Sequence, residues 1–235
     1  MAATPPPVRF LAPPRPLFRS KKESVLDAIR SAIVSGQYRP GQKLVIDEMA
    51  AQFGISAIPI REALQQLQAD GLVKIEPHVG ATVTPIESNL VEEIFDLLEA
   101  LELMSARRAS VRMTADQFKE LEAMVSQMDG MLADLDAWSA MNVRLHTFIC
   151  ECADIPLAQS MLVKVLDHWN RLRKVHLKEV HAKRAHLSQQ EHWQILRAMK
   201  AGDTDRLERI IGEHNRAARD AYTTELNRAL LQEKA

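Results

Sequence analysis

Apolar positions in the first third of the chain recur three times at helical spacing and then begin to alternate. Val25, Leu26, Ile29 and Ile33 are three and four apart, with Ser20 and Glu23 in a capping-box arrangement ahead of them and Gly36 behind. Pro40-Gly41 marks a turn, after which Ile46 to Phe53 is a short apolar-faced segment stopped by Gly54. Ser56 is a good N-cap for a third helix whose inward stripe is Ile60, Ala63, Leu64 and Leu67, closed by Asp70-Gly71. Two short helices separated only by Gly54-Ile55-Ser56 make a helix-turn-helix. The β-prone runs Leu72 to Glu76 and Ala81 to Thr84, around Pro77-His78-Val79-Gly80, predict a small hairpin beside it, which is a wing.

From Ser88 onward every periodic signal is helical, and spacing and caps together predict helices near 89–111, 115–132, 137–153, 156–180, 189–201 and 204–231. Thr114 with Gln117 and Ser188 with Glu191 read as capping boxes, and Gly202-Asp203 as a stop followed at once by a new start. The expected fold is therefore mainly α: a winged helix-turn-helix over 20–86 with a small β-hairpin wing, then an all-α six-helix bundle over 87–235. Residues 1–19 carry six of the eleven prolines, which blocks regular helix and sheet pairing, and are expected to form a disordered arm.

Composition narrows the class without choosing the function. With 46% hydrophobic and 26% charged residues the chain is globular, and a formal net charge of −1 advertises no overall affinity for nucleic acid. A small DNA-binding head can nonetheless sit inside a neutral total. Cys150 and Cys152, on what reads as a helix, point about 200° apart and disfavour a mutual disulfide, which fits a reducing cytosol. Prolines interrupt the N-terminal segment and no run of 18 apolar residues occurs, so a cytoplasmic protein with no membrane partner is expected.

Two groups of residues carry chemistry. A recognition helix enters the major groove N-terminus first, which makes Ser56, Ala57, Ile58, Arg61 and, one turn on, Gln65 the candidate base-reading residues. The Arg61 guanidinium suits the two acceptors of a guanine edge, worth ~1–3 kcal/mol of discrimination; its competing role is a surface pair with Glu62 or Asp70. In the second group, Asn142 and His146 share a helix face, while His192 and His214 lie on two later helices. One amide oxygen and three imidazoles can converge on a divalent metal inside a bundle. Cys150, one turn beyond His146, reads as a buried small hydrophobe. His168, His176, His181 and His186 alternate with Arg171, Arg173, Lys174, Lys178, Lys183 and Arg184, and this charge run reads as solvated surface.

The stretch from Val25 to Val83, with VLDAIRSAIVSGQYRPGQKL, DEMAAQFGIS, PIREALQQLQADGLV and HVGATV, closely resembles the DNA-binding head of the GntR family of transcription regulators. That resemblance implies DNA contacts by Ser56, Arg61 and the wing tip near His78 and Gly80. One departure bears on specificity: most members carry an arginine after the serine, whereas Ala57 and Ile58 stand here, so Ile58 could instead touch a thymine methyl. Residues from Leu90 to about Ala229 resemble the helical FCD effector domain of the FadR branch, and the six-helix count resembles its VanR-like subset. The family's metal signature is matched by Asn142, His146, His192 and His214, which implies a bound divalent metal, zinc first and nickel or manganese after it, helping to hold a small carboxylic acid. Many relatives carry an arginine where Leu98 stands; Arg144, Arg171 and Arg197 are the candidate substitutes as effector-binding residues. The implied protein is a ligand-responsive repressor acting as a homodimer on a palindromic operator. Two other classes start from the same residues: a metal-dependent enzyme, for which the chain offers no H-E-x-x-H motif, and a non-DNA-binding adaptor, suggested by Ala57.

Overall fold

A computed structural model describes residues 21–175 and 178–232. The expected N-terminal arm, the Ser20 cap and His176 lie outside the described residues.

The head begins with α1 (Lys21–Val34), whose Val25, Ile29 and Ile33 are buried as their spacing requires. A two-residue strand β1 (Lys43–Leu44) leads into α2 (Ile46–Phe53) and then α3 (Ala57–Ala69). Gly54 turns the chain between these helices at φ 63°, the left-handed region that glycine enters without a Cβ penalty. Ile60, Ala63, Leu64 and Leu67 of α3 are all buried against α1 and the sheet. Strands β2 (Val73–Glu76) and β3 (Gly80–Val83) form the antiparallel wing, Val73 opposite Val83 and Glu76 opposite Gly80. β1 adds a third strand on the other edge of β3, Lys43 opposite Thr82. Two residues are too few to show alternation, so this strand leaves no trace in the sequence pattern.

Six helices follow: α4 (Ser88–Arg112), α5 (Ala115–Asp129), α6 (Leu135–Ala153), α7 (Pro156–Val175), α8 (Lys178–Ala201) and α9 (Thr204–Gln232). The Thr114 capping box forms in full, Asp134 accepts the N–H groups of Asp136 and Ala137, and Asp203 accepts that of Arg206. They enclose a second apolar core around Phe95, Trp138, Leu162, Leu196 and Leu226 that is separate from the core of the head.

One helix departs from expectation. α8 starts at Lys178 rather than near 189, so Ser188 lies inside the helix and caps nothing. Its first half turns His181, Arg184, Ala185 and Ser188 inward, at positions i, i+3, i+4 and i+7. That stripe has helical spacing but is mostly polar, and a count of apolar positions does not register it. The reading of this charge run as solvated surface is accordingly corrected for Arg171, Arg173, His181 and Arg184, all buried, and for the half-buried His168; the exposed His186 and Lys183 fit it.

Candidate functional site

The first turns of α3 stand clear of the head. Ser56, Ile58, Arg61 and Gln65 are exposed, Ala57 is half-buried, and Ile58 keeps 67% of its surface in solvent. No hydrogen bond or ion pair from the described residues engages Arg61. The alternative partner Asp70 is already held by Arg30 and Lys164. Ser56 takes the N-cap position with extended backbone but makes no side-chain cap bond. At the wing tip His78 is exposed with φ 63°, and Gly80 has φ 104°.

The second group lies in the middle of the helical bundle. His146 on α6, His192 on α8 and His214 on α9 are buried, and one nitrogen from each falls within 4.8 Å of the others. His146 Nδ1 is 3.1 Å from Glu102 Oε1 on α4, and His214 Nδ1 is 2.6 Å from Glu191 Oε2 on α8. A carboxylate accepts, so each ring donates from Nδ1, which leaves Nε2 as the ring atom available to a cation. Glu102 is itself held by Asn215 Nδ2 at 2.8 Å, and Glu191 by Arg184 Nη2 at 2.7 Å. Desolvation lowers the pKa of His146 and pushes that of His192 well below the ordinary imidazole value, which keeps both neutral, the form a metal requires.

Whether a cation fits can be tested on the polar atoms left over. Both ring nitrogens of His192 and the Oδ1 of Asn142 are buried without a hydrogen-bond partner among the described residues. Each such orphan costs ~1–3 kcal/mol, and all of them belong to the same constellation. A divalent ion would take the Asn142 oxygen and one nitrogen from each ring, so the residues present fit the group.

Asn142, His146 and His214 border a polar cavity of about 30 Å³ whose walls include Leu98, Arg184 and Tyr222. An apolar cavity of about 20 Å³ lies against His146 and His192 on the Leu121 and Ile195 side. Spaces of this size hold a water or two, so a metabolite enters only if helices move apart. On the polar side runs a chain of hydrogen bonds. Ser139 Oγ donates to the Leu135 carbonyl at 2.6 Å and so accepts from His181 Nε2 at 2.8 Å, which leaves His181 Nδ1 to accept the Tyr222 hydroxyl at 2.9 Å. Burial, with Arg173 nearby, takes the His181 pKa down to about 4, consistent with this neutral tautomer.

Family comparison decides what this two-part architecture is. Residues 21–83 match the model described as bacterial regulatory proteins, gntR family, and residues 93–217 match the FCD domain. The chain belongs to the GntR family. As such it is a DNA-binding transcription regulator with a ligand-sensing FCD domain. It is 26% identical over 194 residues to the HTH-type transcriptional repressor RspR of Escherichia coli K12, covering 82% of this chain and 84% of that one. It is 34% identical over 133 residues to an HTH-type regulator from the TAR-I ttuE-ttuC' intergenic region of Agrobacterium vitis, covering 54% and 77%. A GntR-type structure from Rhodococcus sp. RHA1 shares the fold with a TM-score of 0.71 at 17% identity, covering 87% of this chain and 98% of that one.

In this GntR-family chain the three arginines singled out as effector ligands lie away from the polar cavity. Arg144 is exposed, paired with Glu151 and lying over the Phe148 ring, and Arg197 is exposed on a surface groove. Arg171 is fully buried but faces the head, donating to the Pro85 carbonyl at 3.4 Å. None of them lines the polar cavity, because their positions on α6, α8 and α7 point away from it. Arg184 does line it, and its Nε has no partner among the described residues. Glu102 and Glu191 were missed because each sits on a different helix from the histidine it supports, and Arg184 because its charge run reads as surface. For Arg184 and Glu191 the signal was present as i, i+4 and i+7 spacing through Ser188.

Proposed function

We propose that this regulator is a cytoplasmic repressor that grips a palindromic operator as a homodimer and responds to a small carboxylic acid held at a metal in the FCD domain. The observation that carries the sensing role is the set of buried polar atoms without a hydrogen-bond partner among the described residues, Asn142 Oδ1 and the two ring nitrogens of His192, beside the His146 and His214 rings. Asn142, His146, His192 and His214 would hold the ion; zinc is favoured over nickel or manganese because three of the four donors are imidazoles in a set of four. When bound, such an ion supplies positive charge and open positions for the oxygens of an acid.

The chain's own residues do the rest. Glu102 and Glu191 keep the His146 and His214 tautomers fixed, and Arg184 offers an acid a guanidinium where Leu98 stands in place of a cation. Tyr222, its proton committed to His181, closes the far wall. At the head, Arg61 reads a guanine edge, Ser56 and the wing tip around His78 and Gly80 hold phosphate, and Ala57, Ile58 and Gln65 complete the reading face. Two-fold symmetry follows from the need to place two such heads on two half-sites.

The decisive measurement is fluorescence anisotropy of DNA recovered by the chain from a random pool, titrated at several salt concentrations. Binding that weakens with salt and falls by ~1–3 kcal/mol in Arg61→Ala is expected. Binding unchanged in Arg61→Ala would overturn the assignment of the DNA face. Elemental analysis of protein purified without chelator should find close to one divalent ion per chain, and none in a His192→Ala variant.

A further inference from the structure

The head and the sensor have separate cores, yet a cluster of buried and half-buried polar groups joins them. Asp70, the residue that follows α3, has a side chain only 2% exposed. Its carboxylate receives Arg30 Nη2 of α1 at 2.5 Å and Lys164 Nζ of α7 at 2.9 Å, and its carbonyl oxygen lies 2.9 Å from His168 Nε2 of α7. Arg30 bridges on to Asp167 of α7 at 3.0 Å. Arg171, also on α7, donates to the carbonyl of Pro85 in the segment between wing and sensor. Gly71 brings the backbone after α3 so close that a Cβ there would stand 3.4 Å from the His168 ring.

All four α7 residues in this junction, Lys164, Asp167, His168 and Arg171, occupy positions i, i+3, i+4 and i+7, a single stripe. On the opposite face of the same helix Leu166 and Trp169 form part of the wall of the polar cavity. We propose that Asp70 is a positioning residue for the recognition helix, and that α7 is the element through which a change in the sensor cavity reaches it.

Three physical points support this. The cavity of about 30 Å³ is too small for a metabolite, so filling it displaces its walls, and Leu166 and Trp169 move together with the stripe on the same rigid helix. The twelve rises between Ala57 and Ala69 make α3 about 18 Å long, so tilting it by about 10° at the Asp70 end shifts the reading end by about 3 Å, enough to break hydrogen bonds to base edges. Finally, the junction is not fully compensated: Arg171 Nε and Nη1 and His168 Nδ1 are buried without partners among the described residues. Leaving such groups unpaired raises the free energy of this arrangement and lowers the cost of moving to another.

The functional consequence rests on the proposed sensing and DNA-binding roles, but the mechanical link can be tested without DNA. Backbone hydrogen exchange by mass spectrometry on the full metal-stripped chain, with and without zinc sulfate, is the experiment. Zinc is expected to slow exchange by roughly tenfold both in the sensor helices and in the segment 66–72. In Lys164→Glu, which sets a carboxylate against Asp70 from a half-exposed position, zinc should still protect the sensor while 66–72 no longer responds. Lys164→Arg, which keeps a cation against Asp70, retains the response, a result that loss of packing alone does not produce. Protection of the sensor without any change at 66–72 in the unmodified chain overturns the proposal, as does a response in Lys164→Glu equal to that of the unmodified chain. If zinc protects nothing, the metal assignment fails, and the link is then judged by whether Lys164→Glu speeds exchange at 66–72 while Lys164→Arg does not; equal exchange in both variants and the unmodified chain overturns it.

Discussion

Single residues set the conditions under which each end of the molecule works. His78 adopts a left-handed backbone conformation at the exposed wing tip, which costs a non-glycine residue on the order of 1 kcal/mol. His78→Gly should therefore stabilise the head by ~0.5–1 kcal/mol in thermal unfolding while weakening DNA binding, the combination expected of strain kept for contact. His181 gives a pH dependence of defined sign. Its folded pKa is about 4 against an ordinary 6.5, so between these values the unfolded chain binds the extra proton. Stability is full above pH 6.5 and falls by something on the order of 2–3 kcal/mol as pH drops toward 4. Urea unfolding at pH 7 and pH 5 should show this fall, and His181→Asn should show a smaller difference between the two.

At the scale of elements, the geometry of the site depends on carboxylates supplied by helices other than those bearing the rings. Glu102 of α4 orients His146 of α6, and its replacement by Gln keeps shape but lets the ring choose either tautomer. Glu102→Gln is expected to weaken zinc binding by about 10–100-fold in a competition titration, with helix content unchanged by circular dichroism. The turn after α3 has a comparable constraint. Gly71 has φ 75° and lies against His168, so Gly71→Ala should cost roughly 1–2 kcal/mol of stability in urea unfolding. A change below a few tenths would mean that this turn relaxes freely.

Over the whole molecule, two cores are connected by a polar junction, and under the proposed metal site the stability of the sensor depends on the ion it holds. Chelation should lower the midpoint of sensor unfolding by several degrees, and added zinc should restore it in proportion to the logarithm of its free concentration. A midpoint indifferent to chelator, in calorimetry of the purified chain, would remove the metal from the account.

Much of this architecture was legible in the order of residues. Ile29, Ile33, Ile60, Leu64 and Leu67 at helical spacing, with Gly54 at the turn, specify the head, since local periodicity and the backbone freedom of glycine need no distant partner to act. The caps at Thr114 and Asp203 located helix starts for the same reason. Asn142 and His146 share a face by spacing alone, but only the packing of α6, α8 and α9 brings His192 and His214 to them. Tertiary structure likewise decided that Arg171, Arg173, His181 and Arg184 are inside and that Asp70 belongs to a junction rather than to Arg61. The environment of a charged side chain is set by groups far along the chain, and a buried guanidinium and a solvated one look alike until the helices around them are in place.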